Sequence, residues 1–449
     1  MIGLVDGNNF YVSCERVMNP KLNGKPVAVL SNNDGCCVAM SPEFKALGIA
    51  RGTPYYQLKD REVPKGDLIF CSSNYELYGD ISRRIIQVLR ERAVEVEQYS
   101  IDEAFIWPPS VAGNREQGLG NRDWYLEYGK SIRAQVLQWV GIPCGVGFAK
   151  TKTLAKIANH IGKKLPEGVF VMPDDPTDIL AKLPTDEVWG VGRRLPLKLR
   201  AERIFTAKDL RDAPDDLVRS VGGVTLLRTA TELRGIPCNQ DRDYNADPDS
   251  VSCSRSFGEQ ITTMDALMES IASFTAQAAT KLRRHGMLAT GCNVYAQVAV
   301  PGMFKVSPEQ REPRSGGYHY QGCGGGWDSS FYGYTVTFPE PTDATNVMVR
   351  AIHEQIGSLF VKGAKYRKSG IVFFGLEKVG AAYQADLFAP AEKREKSKLY
   401  EAIDALNARL GAGKVFSAAE GVGKPAWAMK RSKLSKRATT NWDELLTVR

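Results

Sequence analysis

The sequence predicts an α+β protein of several domains, and three observations carry that prediction. At 449 residues the chain exceeds one ordinary core, and the usual domain size divides it into roughly three or four units. Short strand-like apolar runs and amphipathic helical periods are interleaved along it. Finally, Tyr99-Ser100-Ile101-Asp102-Glu103-Ala104-Phe105 sets two adjacent acids inside an apolar and aromatic run. Burying two unpaired carboxylates is costly unless a cation compensates. A regular strand would send Asp102 and Glu103 to opposite faces, so sharing one ion requires a bend at a hairpin tip or bulge. Taken alone, the pair also fits a solvated hairpin turn.

Composition narrows the class. Apolar content of 43% and charged content of 24% are those of a soluble globular protein. No apolar run is long enough to span a bilayer, and Met1-Ile2-Gly3-Leu4-Val5-Asp6 lacks the charged leader of a signal peptide, so a cytoplasmic protein without a membrane partner is expected. Nine cysteines contain no C-x-x-C pair and the four histidines are scattered, which indicates neither a zinc module nor a disulfide framework. The net charge of +8 suits a polyanionic partner. Lys150, Lys152, Lys156, Lys163 and Lys164 form one basic cluster, and Lys430, Arg431, Lys433, Lys436 and Arg437 another. Either fits a solvated face; with the acid pair they suggest a phosphate-rich substrate.

In chain order, Ile2, Leu4 and Asp6 share one face of a first strand, which leaves Asp6 at its end. Asn8 or Asn9 then caps a helix carrying Phe10, Cys14 and Val17 that ends before Pro20. An acid at a strand end beside a helix N-terminus suits a metal whose other ligands are phosphate oxygens, and equally a capping aspartate. Residues 25–30 read as a second strand. A compact insertion runs to about Phe70 and contains a short helix with Pro42 in its first turn and Lys45 on its surface. Leu77, Ile81, Ile85, Val88 and Leu89 mark an amphipathic helix feeding the acid-bearing strand. A second such helix spans 124–139, and 144–148 is a strand. The basic helix that follows begins near Lys150 and places positive charge at its positive end, an arrangement better for a triphosphate than for helix stability.

From about Pro184, Trp189-Gly190-Val191-Gly192-Arg193 lies between helical patterns, and a tight glycine hairpin there can offer backbone amides to a DNA phosphate. Residues 241–249 read as a linker. Beyond it come an alternating segment from Ser252, a helix over 267–282, a strand near 291–300, a Gly- and Tyr-rich loop over 301–334, a strand at 335–338, a helix over 344–360 and a short strand at 371–374. Gln384-Ala385-Asp386-Leu387-Phe388 is a short peptide whose Leu-Phe pair suits a partner's apolar pocket or local burial.

Asp6-Gly7-Asn8-Asn9-Phe10-Tyr11, Ser72-Ser73-Asn74-Tyr75-Glu76-Leu77-Tyr78, Ser100-Ile101-Asp102-Glu103-Ala104-Phe105, Lys150-Thr151-Lys152-Thr153-Leu154-Ala155-Lys156 and Trp189-Gly190-Val191-Gly192 together closely resemble the Y-family of translesion DNA polymerases, most of all its UmuC-type branch. The resemblance covers nearly the whole chain. It implies a right-hand polymerase: a ferredoxin-like palm at 1–30 and 71–172, small fingers at 31–70, a helix-hairpin-helix thumb at 173–240, a linker at 241–249, an α+β little finger at 250–362 and a C-terminal extension at 363–449. It assigns Asp6, Asp102 and Glu103 to two Mg2+ ions, with the Gly7 carbonyl as a further ligand, and Lys45 and Lys156 to the incoming triphosphate. Many relatives carry a tyrosine where this chain has Pro42, which leaves one triphosphate contact unaccounted for.

By the same resemblance Tyr11, otherwise a core tyrosine, is the steric gate against a ribose 2′-hydroxyl. Gly190, Gly192 and Arg193 contact DNA phosphate. Gln384, Asp386, Leu387 and Phe388 match the sliding-clamp binding peptide. The implied activity is error-prone translesion synthesis in the SOS response, on primer-template DNA with deoxynucleoside triphosphates at the nucleoid. A UmuD-type accessory subunit and a recombinase filament are further implied partners. The alternatives are a catalytically weak DNA-bound accessory subunit and a nucleotide cyclase with a similar palm.

Overall fold

The computed structural model describes all residues except 61–66, 110–120, 239–246, 300–316, 322–328, 381–392, 412, 424, 440 and 446–449. The clamp-peptide residues 384–388, most of the Gly- and Tyr-rich loop and much of the linker therefore lie outside the described residues. The chain forms two units, Met1–Tyr244 together with Ser432–Arg449, and Asn245–Arg431.

The first unit is built on a five-stranded sheet. Strand β1 (Ile2–Gly7) leads to α1 (Phe10–Met18). Next come β2 (Val27–Leu30), β3 (Cys37–Met40), α2 (Pro42–Lys45) and β4 (Ile69–Ser72), in which β2, β3 and β4 make a separate three-stranded sheet of order β3-β2-β4. The main sheet resumes after α3 (Tyr75–Arg90) with β5 (Glu95–Gln98) and β6 (Glu103–Trp107), then α4 (Asn121–Val140), β7 (Cys144–Ala149), α5 (Lys152–Gly162) and β8 (Val169–Val171). Its order is β5-β6-β1-β7-β8, which puts the Asp6 strand at the centre between the acid-pair strand and β7. Leu4, Phe105, Ile106, Val146 and Phe148 are at most 1% exposed, and each such side chain contributes about 1.5–3 kcal/mol by leaving water.

The helix starts follow local chemistry. Asn74 caps α3 and Thr151 caps α5, each side chain accepting from a backbone N–H three residues on. Asn9 precedes α1 in a left-handed conformation (φ 46°), which asparagine tolerates, but its side chain makes no cap. Its Oδ1 instead accepts from Lys45 Nζ, so the expected asparagine cap is replaced by a link between α1 and α2. Short helices α6 (Thr177–Lys182), α7 (Leu195–Ala201) and α8 (Ala207–Asp212) and the longer α9 (Asp215–Leu233) complete the unit; α9 breaks at Gly223, where φ is 68°.

The second unit is one five-stranded antiparallel sheet with helices. It comprises β9 (Val251–Ile261), α10 (Met264–Arg284), β10 (Met287–Ala299), β11 (Gly317–Gln321), β12 (Ser329–Thr342), α11 (Thr345–Gln355), β13 (Lys365–Lys378) and α12 (Lys393–Leu410). The strand order is β11-β12-β10-β13-β9.

Two sequence boundaries need correction. An end at 362 severs β13, which pairs on both sides with β10 and β9 and carries the buried Tyr366, Ile371 and Phe373. The strand is 14 residues long where the apolar run marked four, because Lys365, Lys368 and Lys378 interrupt the hydrophobic signal without interrupting the hydrogen-bond ladder. Nor is 363–449 one extension, since 432–449 belong to the first unit.

Candidate active site

Antiparallel pairing of β1 with β6 sets Asp6 opposite Glu103, and the Gly7 N–H donates to the Asp102 carbonyl at 2.9 Å. Asp102 occupies the β5–β6 turn while Glu103 starts β6, so the backbone bends between the two acids. Ser100 fixes the bend: its Oγ bonds Asp102 Oδ1 at 2.7 Å and accepts from the Asp102 and Glu103 N–H groups at 3.3 and 3.1 Å.

Two glycines bring α5 onto this floor. A Cβ at Gly147 of β7 would stand 2.1 Å from the Asn159 backbone nitrogen, and one at Gly145 would stand 2.7 Å from Lys163 Cγ. Their absence lets Asn159 Nδ2 donate to the Leu4 carbonyl of β1 at 3.2 Å and carries two lysines to the acids. Lys156 Nζ donates to Glu103 Oε1 and Oε2 at 3.1 and 2.9 Å; Lys163 Nζ lies 2.6 Å from Asp6 Oδ1. The Asp6 carboxyl is raised to about 6: burial and, less strongly, the charges of Glu103 and Asp102 push it up, and Lys163 offsets only part of that rise. A cavity of about 900 Å³ is lined by Asp6, Glu103, Lys156, His160, Lys163 and Trp189.

Among the described residues no three acidic, histidine or cysteine groups converge closely enough to hold a metal. Partly buried carboxylates demand compensation, and here two ammonium groups supply it. The three hard-oxygen donors at one sheet end still fit a divalent cation chemically, with Lys156 and Lys163 as competitors for their oxygens.

Beyond Asp102 lies a second group. The half-buried Tyr11 ring stacks on Tyr78 with centroids 4.5 Å apart and planes at 15°, and meets Tyr75 edge-on at 6.0 Å. Burial raises the Tyr11 hydroxyl pKa, and the nearby Tyr75 and Asp102 add to it while Arg51 opposes. The Lys45 pKa is lowered by partial burial and by the positive charges of Lys163 and Arg51. Lys45, Arg51 and Lys163 thus form a cationic neighbourhood. Sequence reading missed Arg51, isolated as it is after Ala50, and placed Lys163 only within a general cluster. Tyr11 and Lys45 do not line the cavity beside Glu103.

The lysine cluster of α5 is not one patch. Lys150 pairs with Asp174 at 2.8 Å, and Lys152 is buried in an ion pair with Glu97 beneath the Phe105 and Trp107 rings. Lys156 also lies over the rings of Tyr99 (4.3 Å) and Trp189 (5.2 Å). Trp189 Nε1 donates to the Tyr99 hydroxyl at 3.1 Å, linking the glycine hairpin to the acid turn. Gly190 has φ 90°, and a Cβ there would approach Thr229 Oγ1 to 2.6 Å; Gly192 and Arg193 are exposed, with open space above Gly192.

Residues 5–160 match the model of the impB/mucB/samB family and residues 248–387 that of its C-terminal domain. Across all of both chains the sequence is 39% identical to Protein UmuC of Salmonella typhimurium. The chain belongs to the impB/mucB/samB family. Within that family it is similar along its whole length to UmuC. It is also 36% identical to Protein ImpB of Salmonella typhimurium over 99% of each chain, and 32% identical to Protein MucB of Escherichia coli over 98% of each. A further model, a domain of unknown function, matches 397–448. Among solved structures, a Y-family DNA polymerase chimera built on Dbh superposes with a TM-score of 0.59 at 21% identity, and an insertion ternary complex of Dbh DNA polymerase with 0.51 at 20%. Each comparison covers 84% of this chain and 100% of the other. The fold is therefore the α+β right hand of Y-family polymerases. No helix among the described residues is long and apolar enough to cross a membrane.

Proposed function

We propose that this error-prone translesion DNA polymerase of the SOS response adds deoxynucleoside triphosphates to a primer 3′-hydroxyl opposite damaged bases at a site centred on Asp6, Asp102 and Glu103. The observation that carries the reading is the Asp6–Glu103 register with the Gly7–Asp102 hydrogen bond, which sets three acids at one sheet end beside Lys156 and Lys163. Divalent-cation dependence accompanies the family. We assign two Mg2+ ions to Asp6, Asp102 and Glu103 with the Gly7 carbonyl; bound ions of this kind lower the pKa of the attacking hydroxyl and neutralise the departing pyrophosphate.

The chain's own groups do the rest in this reading. Lys45, Arg51 and Lys156 neutralise the triphosphate. Tyr11, backed by Tyr78, excludes the 2′-hydroxyl. The exposed turn at Gly190, Gly192 and Arg193 holds a DNA phosphate through backbone amides and a guanidinium. We assign the palm to 1–30 and 71–172, the fingers to 31–70, the thumb to 173–240 and the little finger to the segment from 250 continued through β13. Gln384, Asp386, Leu387 and Phe388 take a sliding clamp, and a UmuD-type subunit and a recombinase filament complete the assembly at the nucleoid.

Primer extension on a damaged template with clamp and magnesium tests the assignment. The intact chain extends the primer, and Asp102→Ala loses at least roughly 10²–10³-fold in rate, the scale on which charge-stabilising groups act. Equal extension by that variant overturns the catalytic assignment.

A further inference from the structure

Residues 432–435, within the segment matched by the domain of unknown function, dock on the first unit along β4. The Ser72 N–H donates to the Lys433 carbonyl and the Lys433 N–H to Ser72 Oγ, both at 2.9 Å, with Leu434 bridged to Ser72 in parallel pairing. Asp34 holds the entry, its Oδ2 accepting from the Ser432 N–H and hydroxyl at 2.9 Å each. Lys433 Nζ lies 5.7 Å from the Tyr55 ring centroid.

The strap ends at a buried acid. Ser435 Oγ donates to Glu15 Oε1 at 3.1 Å and accepts from Asn74 Nδ2 at 3.0 Å. Glu15 is only 2% exposed, and the same oxygen accepts from the Tyr78 hydroxyl at 2.7 Å. Tyr78 is fully buried and is the ring on which Tyr11 stacks. One line of contacts thus runs from Ser435 through Glu15 and Tyr78 to Tyr11.

We propose that Ser435 is a positioning residue for sugar discrimination, and that the strap, acting through Glu15 and Tyr78, fixes the Tyr11 ring against ribonucleoside triphosphates. This gives the domain of unknown function a part in substrate choice, and it rests on Tyr11 being the gate. The physical reason is steric. A gate excludes one hydroxyl only if its ring is held to a fraction of an ångström, and close-packed neighbours transmit displacement. A buried carboxylate that loses one of two donors on the same oxygen shifts to find another, and Tyr78 shifts with it.

The test is the ratio of kcat/KM for deoxyribonucleotide over ribonucleotide on an undamaged primed template. In Ser435→Ala it falls about fivefold, the scale of one ordinary intramolecular hydrogen bond, while deoxyribonucleotide kcat/KM stays within about twofold. Ser435→Thr, which keeps the hydroxyl, restores it. Tyr78→Phe removes the other donor, lowers the ratio similarly, and decides the matter if Ser435→Ala does not fold. A normal ratio in Ser435→Ala or Tyr78→Phe, with a lowered one in Tyr11→Ala, overturns the proposal and leaves the gate standing. Equal loss for both sugars in Ser435→Ala also overturns it. A normal ratio in Tyr11→Ala overturns the gate and the proposal together.

Discussion

Asp6 and Glu103 are register partners on adjacent strands, and each carboxylate is held by a different lysine of one helical segment, Lys163 and Lys156 respectively. The lysines therefore support the acids and stand where an anionic substrate would meet them. Lys156→Ala is expected to raise the nucleotide KM or lower kcat roughly tenfold, about 1.4 kcal/mol, with DNA binding retained in a mobility-shift assay. Unchanged kinetics would leave Lys156 as a support for Glu103 alone.

Gly147 is where β7 admits α5. With a Cβ placed 2.1 Å from a backbone nitrogen, Gly147→Ala has no flexible neighbour to move, so the helix itself must retreat. We expect a loss of about 1–3 kcal/mol or more in urea unfolding, together with reduced polymerisation because Lys156 and Lys163 ride on that segment. A variant as stable and active as the parent would show that the sheet yields freely there.

Lys152 and Glu97 are 3% and 6% exposed at the side chain, so their pairing is not a surface ornament. Lys152→Met leaves the carboxylate without its ammonium and is expected to cost about 3–5 kcal/mol. The double variant Lys152→Met with Glu97→Leu recovers most of that loss, since the buried charge is gone as well. A double-mutant cycle on denaturation midpoints measures the coupling, and additive losses would contradict it.

Glu15 supplies a pH dependence. Burial holds its carboxyl above the ordinary 4.5, against the pull of the Tyr78 and Ser435 hydroxyls. An acid whose pKa rises on folding binds its proton more tightly when folded, so the parent loses stability as pH climbs from 4.5 through the raised value and no further above it. Glu15→Gln keeps the accepting oxygen without the charge. Its stability relative to the parent should therefore grow across that window and then level off in melts from pH 4.5 to 8; a flat difference would mean that burial places no load on Glu15.

Much of this was legible in the sequence, for identifiable reasons. Asp6 at a strand end and the Asp102–Glu103 bend follow from strand periodicity and the cost of burying charge, which act locally. Helix α3 announces itself through its apolar spacing, and α5 through the basic run that follows a strand. What escaped depends on distant partners. Lys152 reads as one more basic residue until Glu97, 55 positions earlier, is placed beside it. The length of β13 is set by the ladder to β9 and β10, not by its own hydrophobicity. Arg51 and the docking of 432–435 carry no local pattern, since their meaning comes from the surface they reach.

The docking of Ser435 also sets an order in time. It meets Asn74 across 361 residues of chain, so during synthesis α1 and α3 leave the ribosome long before the segment that ties them. At elongation rates of ~5–20 residues per second the interval is roughly 20–70 s. Until then Glu15 lacks one of its two hydroxyl donors, and the Tyr78 platform beneath Tyr11 is unfinished. A chain interrupted before residue 432 would carry every acid and lysine of the candidate site but not this last clasp.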